Sequence, residues 1–257
     1  MHGFCPLASG SKGNCLYIGT EKTKLLIDVG ISLRSLKERL AVIGIDLAEI
    51  DAVLVSHEHS DHVRGIERVA HRYKMPVFAN GETAKAVVAM AKNKPRFKIF
   101  STGEPFEFGD IAVHPFSVQH DTLDPVAFTF RLGSVKIGVC TDLGFVTTLV
   151  KLQLQRCDYL YLEANHEPSL VYSCPRPAFY KQRVLGRQGH LSNENCAELI
   201  DAVYHAGLKH VYLAHLSEEC NRPEVALQRI QERLKGREVA LSIAHQHQIS
   251  HPIKLES

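Results

Sequence analysis

Three histidines and an aspartate fall within six residues in His57-Glu58-His59-Ser60-Asp61-His62. Imidazole and carboxylate at that density are ligands for a divalent cation, and the donor set suits Zn, Mn or Fe without excluding any of them. The preceding run Ala52–Ser56 (AVLVS) reads as a strand. Directly after a strand, residues i and i+2 project to the same side, so His57 and His59 can grip one cation together. The chain then takes up helical spacing, which puts Asp61 and His62 at a helix start, placed to hold a second cation. Simple capping of a helix by these residues is the bland alternative, and it does not account for the spacing.

A two-cation site needs further ligands, and the sequence offers three at the ends of other apolar runs. His120 follows the strand read over Ile111–Val118, Asp142 follows Val135–Cys140, and His215 closes the strand read over His210–His215. Each alone is an ordinary loop residue; their order after the histidine cluster makes them candidates.

The elements that must position these groups come in clusters of strands and alternations of helix and strand. Strands are expected at Cys15–Gly19, Lys24–Asp28, Ala52–Ser56, Pro76–Ala79, Ile99–Ser101, Phe106–Phe108, Ile111–Val118, Ala127–Leu132, Val135–Cys140, Tyr159–Glu163, His210–His215 and Val239–Ile243. Helices are expected at Leu33–Ile43, with Ser32 as N-cap, and at His62–Arg72, Glu82–Ala91, Phe145–Leu154, Asn193–His205 and Arg222–Leu234. The stretch Tyr172–Gln188, rich in Pro and Arg and poorly periodic, reads as a loop. The pattern implies an α/β fold in which two sheets pack face to face under outer helices, a four-layer αββα sandwich. No repeat or linker divides the 257 residues, so one domain is the expectation.

Composition narrows the class. A hydrophobic fraction of 45% and a charged fraction of 23% are those of an ordinary globular protein, and a net charge of +2 neither requires nor excludes nucleic acid. No apolar stretch approaches the roughly 18 residues of a membrane span, and the N-terminus lacks the pattern of a signal peptide. Seven cysteines without a CxxC pair suggest reduced thiols and a cytoplasmic location. Fifteen histidines are the compositional outlier.

The series His57-x-His59-x-Asp61-His62, His120, Asp142, His215 resembles the ligand set of the metallo-β-lactamase superfamily. The resemblance implies one cation on His57, His59 and His120, a second on Asp61, His62 and His215, and Asp142 bridging them. It also makes Asp28, in Leu26-Ile27-Asp28-Val29-Gly30, a supporting residue behind the ligands. Two cations about 3.5–4 Å apart lower the pKa of a shared water toward about 7 and polarise the scissile bond. Asp142 stands where true β-lactamases of this fold carry Cys, which disfavours antibiotic hydrolysis.

Glu163-Ala164-Asn165-His166 and Gly189-His190-Leu191-Ser192-Asn193 are similar to segments of the tRNA 3′-processing endonucleases of the superfamily. On that match His190 is the proton donor to the leaving group, Glu163 orients it, and Asp61 belongs to both metal and catalytic sets. The Gly189–Asn193 turn is also placed to receive a phosphate on its N–H groups. Together with Leu7-Ala8-Ser9-Gly10-Ser11-Lys12-Gly13-Asn14-Cys15, these fragments resemble the bacterial YycJ/WalJ family. That resemblance implies a single metallo-β-lactamase-fold domain over residues 1–257 without an inserted cap, since Asp142 and His215 are too close in sequence to enclose one. It implies two divalent ions (Zn or Mn) and a 5′→3′ exonuclease on double-stranded DNA, with RNA a further possible substrate. The basic run Lys92–Lys98, and Arg176, Lys181, Arg183 and Arg187 interleaved with Phe179 and Tyr180, are compatible with a nucleic-acid partner. A thioester or lactone hydrolase of the same fold is the alternative; a non-catalytic metal binder is a third reading, against which the complete ligand series speaks. His166 adjoins the Glu163 motif and is expected near the site, whereas His245-Gln246-His247 has ligand-like spacing in the tail.

Overall fold

The computed structural model describes residues 1–255. Its chain order begins β1 (Gly3–Ala8), β2 (Cys15–Gly19), β3 (Lys24–Ile27), α1 (Leu33–Val42), β4 (Ala52–Leu54), α2 (Ser60–Val63), α3 (Ile66–Tyr73), β5 (Val77–Ala79), α4 (Gly81–Met90) and β6 (Phe97–Ile99). It continues with β7 (Phe106–Phe108), β8 (Ile111–Ser117), β9 (Val126–Leu132), β10 (Val135–Cys140), α5 (Thr148–Leu154) and β11 (Tyr159–Glu163). The remainder is α6 (Pro168–Ser173), α7 (Ala178–Leu185), α8 (Asn193–Val203), β12 (His210–Ala214), α9 (Pro223–Arg233), β13 (Ala240–Ile243) and β14 (Ile253–Lys254).

These strands make two seven-stranded sheets, ordered β14-β1-β2-β3-β4-β5-β6 and β13-β12-β11-β10-β9-β8-β7. Both sheets follow one plan. In the first, β1–β3 run antiparallel and β3–β6 parallel; in the second, β9 and β10 are antiparallel while β10–β13 run parallel. Parallel strands buried on both faces read as continuous apolar runs, which is why Leu25-Leu26-Ile27 and Ala52-Val53-Leu54 show no alternation.

By compactness the chain divides into two units. One comprises Met1–Pro115, Thr122–Val126 and the segment from His245; the other comprises Phe116–Asp121 and Ala127–Ala244. The first unit's core gathers Leu36 and Leu40 of α1, Val53 and Val55, and Ile66 and Val69 of α3, all of them buried. Each such side chain contributes about 1.5–3 kcal/mol by leaving water. Ser32 caps α1 by accepting from the Ser35 N–H, as its position before the first periodic residue predicts. The second unit's core sets Val150 and Leu154 of α5, Ile200 and Val203 of α8 and Ile230 of α9 against Leu160, Leu162, Val211 and Leu213 of β11 and β12. The two sheets and their helices are the components of the expected four-layer sandwich, and the fold class is α/β. Among the described residues no helix is long and apolar enough to cross a membrane.

Three readings need correction. The helix expected over His62–Arg72 is two short helices, because the Gly65 N–H turns inward to Val29 O at 2.8 Å and interrupts the ladder. Tyr172–Gln188 is no loop: α6, which opens on Pro168 at the first helical position that suits proline, ends within it, and α7 follows directly after Pro177 and occupies its middle. The strand expected at Ile99–Ser101 lies two residues earlier, at Phe97–Ile99.

Candidate active site

In the first unit the candidate residues gather at the C-terminal ends of β3 and β4. Asp28 leaves β3 in the left-handed region, φ 59°. A residue with a Cβ pays for that conformation, so it persists only where the surroundings fix it. Both oxygens are used: Oδ1 accepts from the Ser56 N–H at 2.8 Å, and Oδ2 accepts from Ser56 Oγ at 2.8 Å and faces His62 Nδ1 at 2.8 Å. Ser56 Oγ also lies 3.0 Å from His57 Nδ1. An ionised carboxylate can only accept, so the proton sits on His62 Nδ1 and the lone pair on Nε2. The Ser56 hydroxyl, having donated to Asp28, accepts from His57 Nδ1 and sets the same tautomer there. Both rings are buried, with centroids 4.0 Å apart; the His59 ring is 4.9 Å from that of His57.

Asn14 fixes the remaining pair. Its amide lies 3.2 Å from Asp61 Oδ2 and 3.0 Å from His62 Nε2, and its backbone N–H donates to Asp61 O at 2.8 Å. A donor facing a carboxylate and an imidazole lone pair together marks an acceptor-rich edge, the character a cation also selects. The close approach needs Gly30, where a Cβ would stand 1.6 Å from Asp61 O. The Gly13–Asn14 motif thus has a local purpose. So does Gln246, between the two tail histidines: it accepts from the Lys12 N–H and donates to Gly13 O, clamping that loop.

In the second unit three neighbouring parallel strands, β10, β11 and β12, end in Asp142, Glu163 and His215, and β8 leads to His120. Asp142 and His215 are again left-handed, φ 58° and 54°. Three of the five left-handed non-glycine residues among those described are thus candidate site residues. His120 Nε2 lies 3.9 Å from Asp142 Oδ1, and His215 Nε2 lies 3.5 Å from the same oxygen. His120 Nδ1 is held 3.0 Å from Gly189 O, which points its other nitrogen at Asp142.

Glu163 organises this cluster. It is fully buried, and its Oε1 lies 2.8 Å from His190 Nδ1 and 3.0 Å from His215 Nδ1. Oε2 accepts from the backbone N–H groups of Leu143 and Leu191, each at 3.0 Å. Burial alone would raise its pKa, but the two imidazoles outweigh burial and hold it below the usual carboxylate range. Ligating atoms of Asp142, Glu163, His190 and His215 all lie within 4.8 Å of one another. With four donors already on it, Glu163 suits an orienting role better than ligation, while His190 and His215 keep Nε2 for other partners. His120 is pushed down by burial, which favours the neutral form that ligation requires. Gly144 lets the Asp142 turn meet the His190 loop, since a Cβ there would lie 2.5 Å from both Gly186 O and Gly189 N.

The structure therefore brings His57, His59, Asp61 and His62 together with Asp28 in one unit, and His120, Asp142, Glu163, His190 and His215 in the other. His166 lies beside the second group, buried, its imidazole pushed down to about 4 mainly by burial. Three supporting residues escaped the sequence reading: Ser56, Asn14 and Asn165, whose amide contacts His215 at Nδ1 (3.3 Å) and O (2.8 Å). Each lies inside a quoted motif, but hydrogen-bonding partners are not visible in spacing. The cations around Phe179 are partly spent, Arg183 on Asp121 at 2.5 Å and Arg176 on Glu219. All seven cysteines are free and buried; burial pushes the Cys5 and Cys157 thiols up to about 12, leaving them inert.

A family profile described as a β-lactamase superfamily domain matches residues 23–216. The chain is 36% identical over 225 residues to the exodeoxyribonuclease YycJ of Bacillus anthracis, covering 87% of this chain and 85% of that one. It is 37% identical over 227 residues to the exodeoxyribonuclease WalJ of Streptococcus pneumoniae, covering 86% and 83%. Among solved structures, the metallo-β-lactamase fold protein YhfI of Bacillus subtilis superposes with a TM-score of 0.74 at 14% identity, over 96% of this chain and 97% of that one, a likeness of fold.

Proposed function

The chain belongs to the metallo-β-lactamase superfamily, in the family of the YycJ and WalJ exodeoxyribonucleases, and from that premise we propose that it removes nucleotides from the 5′ end of double-stranded DNA. It is a metal-dependent hydrolase. The observation that carries the nuclease reading is the His190–Glu163 pair, 2.8 Å apart. Cleavage of a phosphodiester expels an alkoxide, which needs a proton, and an imidazole held through Nδ1 by a buried carboxylate presents Nε2 for that purpose.

In this reading His57, His59 and His120 would hold one divalent cation and Asp61, His62 and His215 a second, with Asp142 available to either, and Zn or Mn would be the metal. The donor set fits: His57 and His62 have their Nδ1 protons engaged by Ser56 and Asp28, and His120 and His215 have theirs engaged by Gly189 O and Glu163, so each turns Nε2 away from those partners, that of His62 toward the Asn14 amide, whose place a cation would take. When bound, the cations supply a water of lowered pKa and neutralise charge on the phosphoryl oxygens. The chain's own residues do the rest. Asp28 and Glu163 fix the imidazole tautomers, Asp61 orients the attacking water, and His190 Nε2 delivers the proton to the departing 3′ oxygen. Helix α7 holds the strand: its C-terminal end carries the His190 loop through the His190 N–H to Val184 O bond at 3.1 Å, and Phe179 on it is exposed for stacking on a base. The seven free thiols suit a reducing compartment, and the proposal places the protein in the cytoplasm.

The test is hydrolysis of 5′-labelled duplex DNA by protein loaded with Zn or Mn, with Asp61→Ala beside it. Metal-dependent release of labelled nucleotide, at least about 10³-fold slower in the variant, is the expected result. Loaded protein that cleaves neither DNA nor RNA but turns over a thioester or lactone would overturn the proposal.

A further inference from the structure

Residues 67–98 contain eight Lys and Arg but only two Glu. Neither glutamate pairs with Lys74, Lys94 or Arg96, although Glu67 lies beside Lys92. Glu82 pairs with Lys85 one turn on, and Glu67 accepts from the backbone N–H groups of Lys92 and Asn93 and from the Asn93 amide, which pins the 92–94 turn beside α3. His71, Lys74, Lys94 and Arg96 converge with Ala70, Met75 and Pro95 around a concavity of about 90 Å³. No ion pair involves Lys74, Lys94 or Arg96 among the described residues. Like charges gathered around a concave floor repel one another and focus a positive potential into it. The cavity has room for one hydrated phosphate group and is far too small for a nucleotide.

The sheet says where this pocket lies relative to the histidine cluster of the same unit. β4 and β5 are parallel with Val53 opposite Val77. Met75 is therefore level with Asp51, six residues ahead of His57, and Arg96 similarly precedes β6. The pocket therefore sits at the N-terminal ends of β5 and β6, whereas the histidine cluster sits at the C-terminal ends of the neighbouring β3 and β4, displaced from it by about 20 Å along the strand direction at ~3.3 Å per residue. Duplex DNA advances ~3.4 Å per base pair, so that span corresponds to about six base pairs.

We infer that the Lys74–Lys94–Arg96 pocket is a second binding site for a backbone phosphate of the DNA substrate, engaged several base pairs beyond the bond being cut. The inference rests on the proposed nuclease function. Its occupant is the phosphodiester backbone because three cationic side chains converge on a concavity too small for a nucleotide, which favours a single anionic group.

The test is binding of metal-loaded protein to duplexes whose 5′-terminal linkages are phosphorothioates, followed by fluorescence anisotropy across a salt series. The wild type is compared with the triple variant Lys74→Ala, Lys94→Ala, Arg96→Ala, whose side chains are all exposed and whose removal leaves the cores untouched. On a 20-base-pair duplex at low salt the triple variant is expected to bind at least about tenfold more weakly, with the slope of log K against log salt reduced by about 1, the loss of one phosphate contact. On a duplex of about five base pairs the two proteins should bind alike, and turnover of a small aryl phosphodiester should also be equal. Equal affinity and equal salt slope on the long duplex would overturn the inference, as would failure of the wild type to bind it. Cleavage is scored separately: a wild type that binds DNA through these cations yet never cuts it defeats the nuclease proposal and leaves the pocket standing.

Discussion

The two candidate clusters, one in each unit, solve one problem by different means. In the first unit four ligand candidates come from a single turn, His57 to His62, so the peptide chain itself sets most of their spacing. One carboxylate, Asp28, and one hydroxyl, Ser56, then orient the two buried rings. In the second unit the candidates come from the ends of separate strands and from a loop, and nothing local relates them. Glu163 does that work, gathering two imidazoles and two backbone N–H groups onto one buried carboxylate. A cluster made by sequence adjacency tolerates loss of its orienting acid better than one made by long-range bonds.

That contrast predicts unequal effects from equivalent substitutions. Asp28→Asn removes one acceptor but keeps the turn, and should lower metal affinity about 10–100-fold, the usual cost of losing a group behind a ligand. Glu163→Gln should cost more, above about 100-fold in turnover. Its amide NH2 must face either the Leu143 and Leu191 N–H groups or the imidazoles of His190 and His215, and a buried donor set against donors loses its bonds as well as their charge. Metal content measured beside kcat sharpens the comparison: Asp28→Asn should show it mostly as metal loss, Glu163→Gln mostly as lost turnover at full metal. Equal effects in both measures would mean that Glu163 is no more of an organiser than Asp28.

The same contrast explains what could be read without a structure. The His57–His62 cluster was legible because its geometry is local: a strand end and a helix start suffice to aim the side chains. His120, Asp142 and His215 were legible only as strand-end residues in a familiar order, and Glu163 and His190 only through family resemblance. What the strands share, parallel C-terminal ends on one edge, follows from pairing partners distant in sequence. Left-handed backbone at Asp28, Asp142 and His215 leaves no compositional trace, because none of the three is glycine. Helix α7 was missed for another reason. Its sequence AFYKQRVL is short and weakly periodic, and it is fixed in place by bonds to the His190 loop and by Val184 in a small cluster with Val171, Cys174 and Cys220.

Glycine substitutions extend the comparison to the backbone. At Gly30 a new Cβ would fall 1.6 Å from Asp61 O, inside a network of main-chain bonds that includes Asn14, Val29 and His62 and cannot shift as a side chain would. Gly30→Ala should destabilise by about 2–3 kcal/mol, the upper range for overpacking, lowering Tm by roughly 5–10 °C. At Gly144 the clash is with the 186–189 loop, which carries the carbonyl holding His120 and leads into His190. Gly144→Ala should cost less stability, about 1–2 kcal/mol, and more turnover than its stability loss implies. Thermal melts paired with steady-state rates check the split, and a Gly144→Ala protein that loses stability without losing rate would break it.

The smallest effect concerns His166, which has no counterpart in the first unit. Its imidazole is held near a pKa of about 4 in the folded protein, chiefly by burial, against an ordinary value of 6.5. The unfolded chain therefore takes up a proton below pH 6.5 that the folded chain refuses until about pH 4. Stability from this group is complete above pH 6.5 and declines as pH falls through that window. At pH 5 the decline should amount to about 1–2 kcal/mol at ~1.4 kcal/mol per pKa unit. His166→Gln removes the titration and keeps a polar side chain. The ligand histidines titrate in both proteins, so their contribution cancels in the difference. The stability advantage of wild type over His166→Gln, from urea melts at pH 7.5 and pH 5, should shrink by that amount. A difference that stays constant between the two pH values would show that His166 is not held neutral by burial.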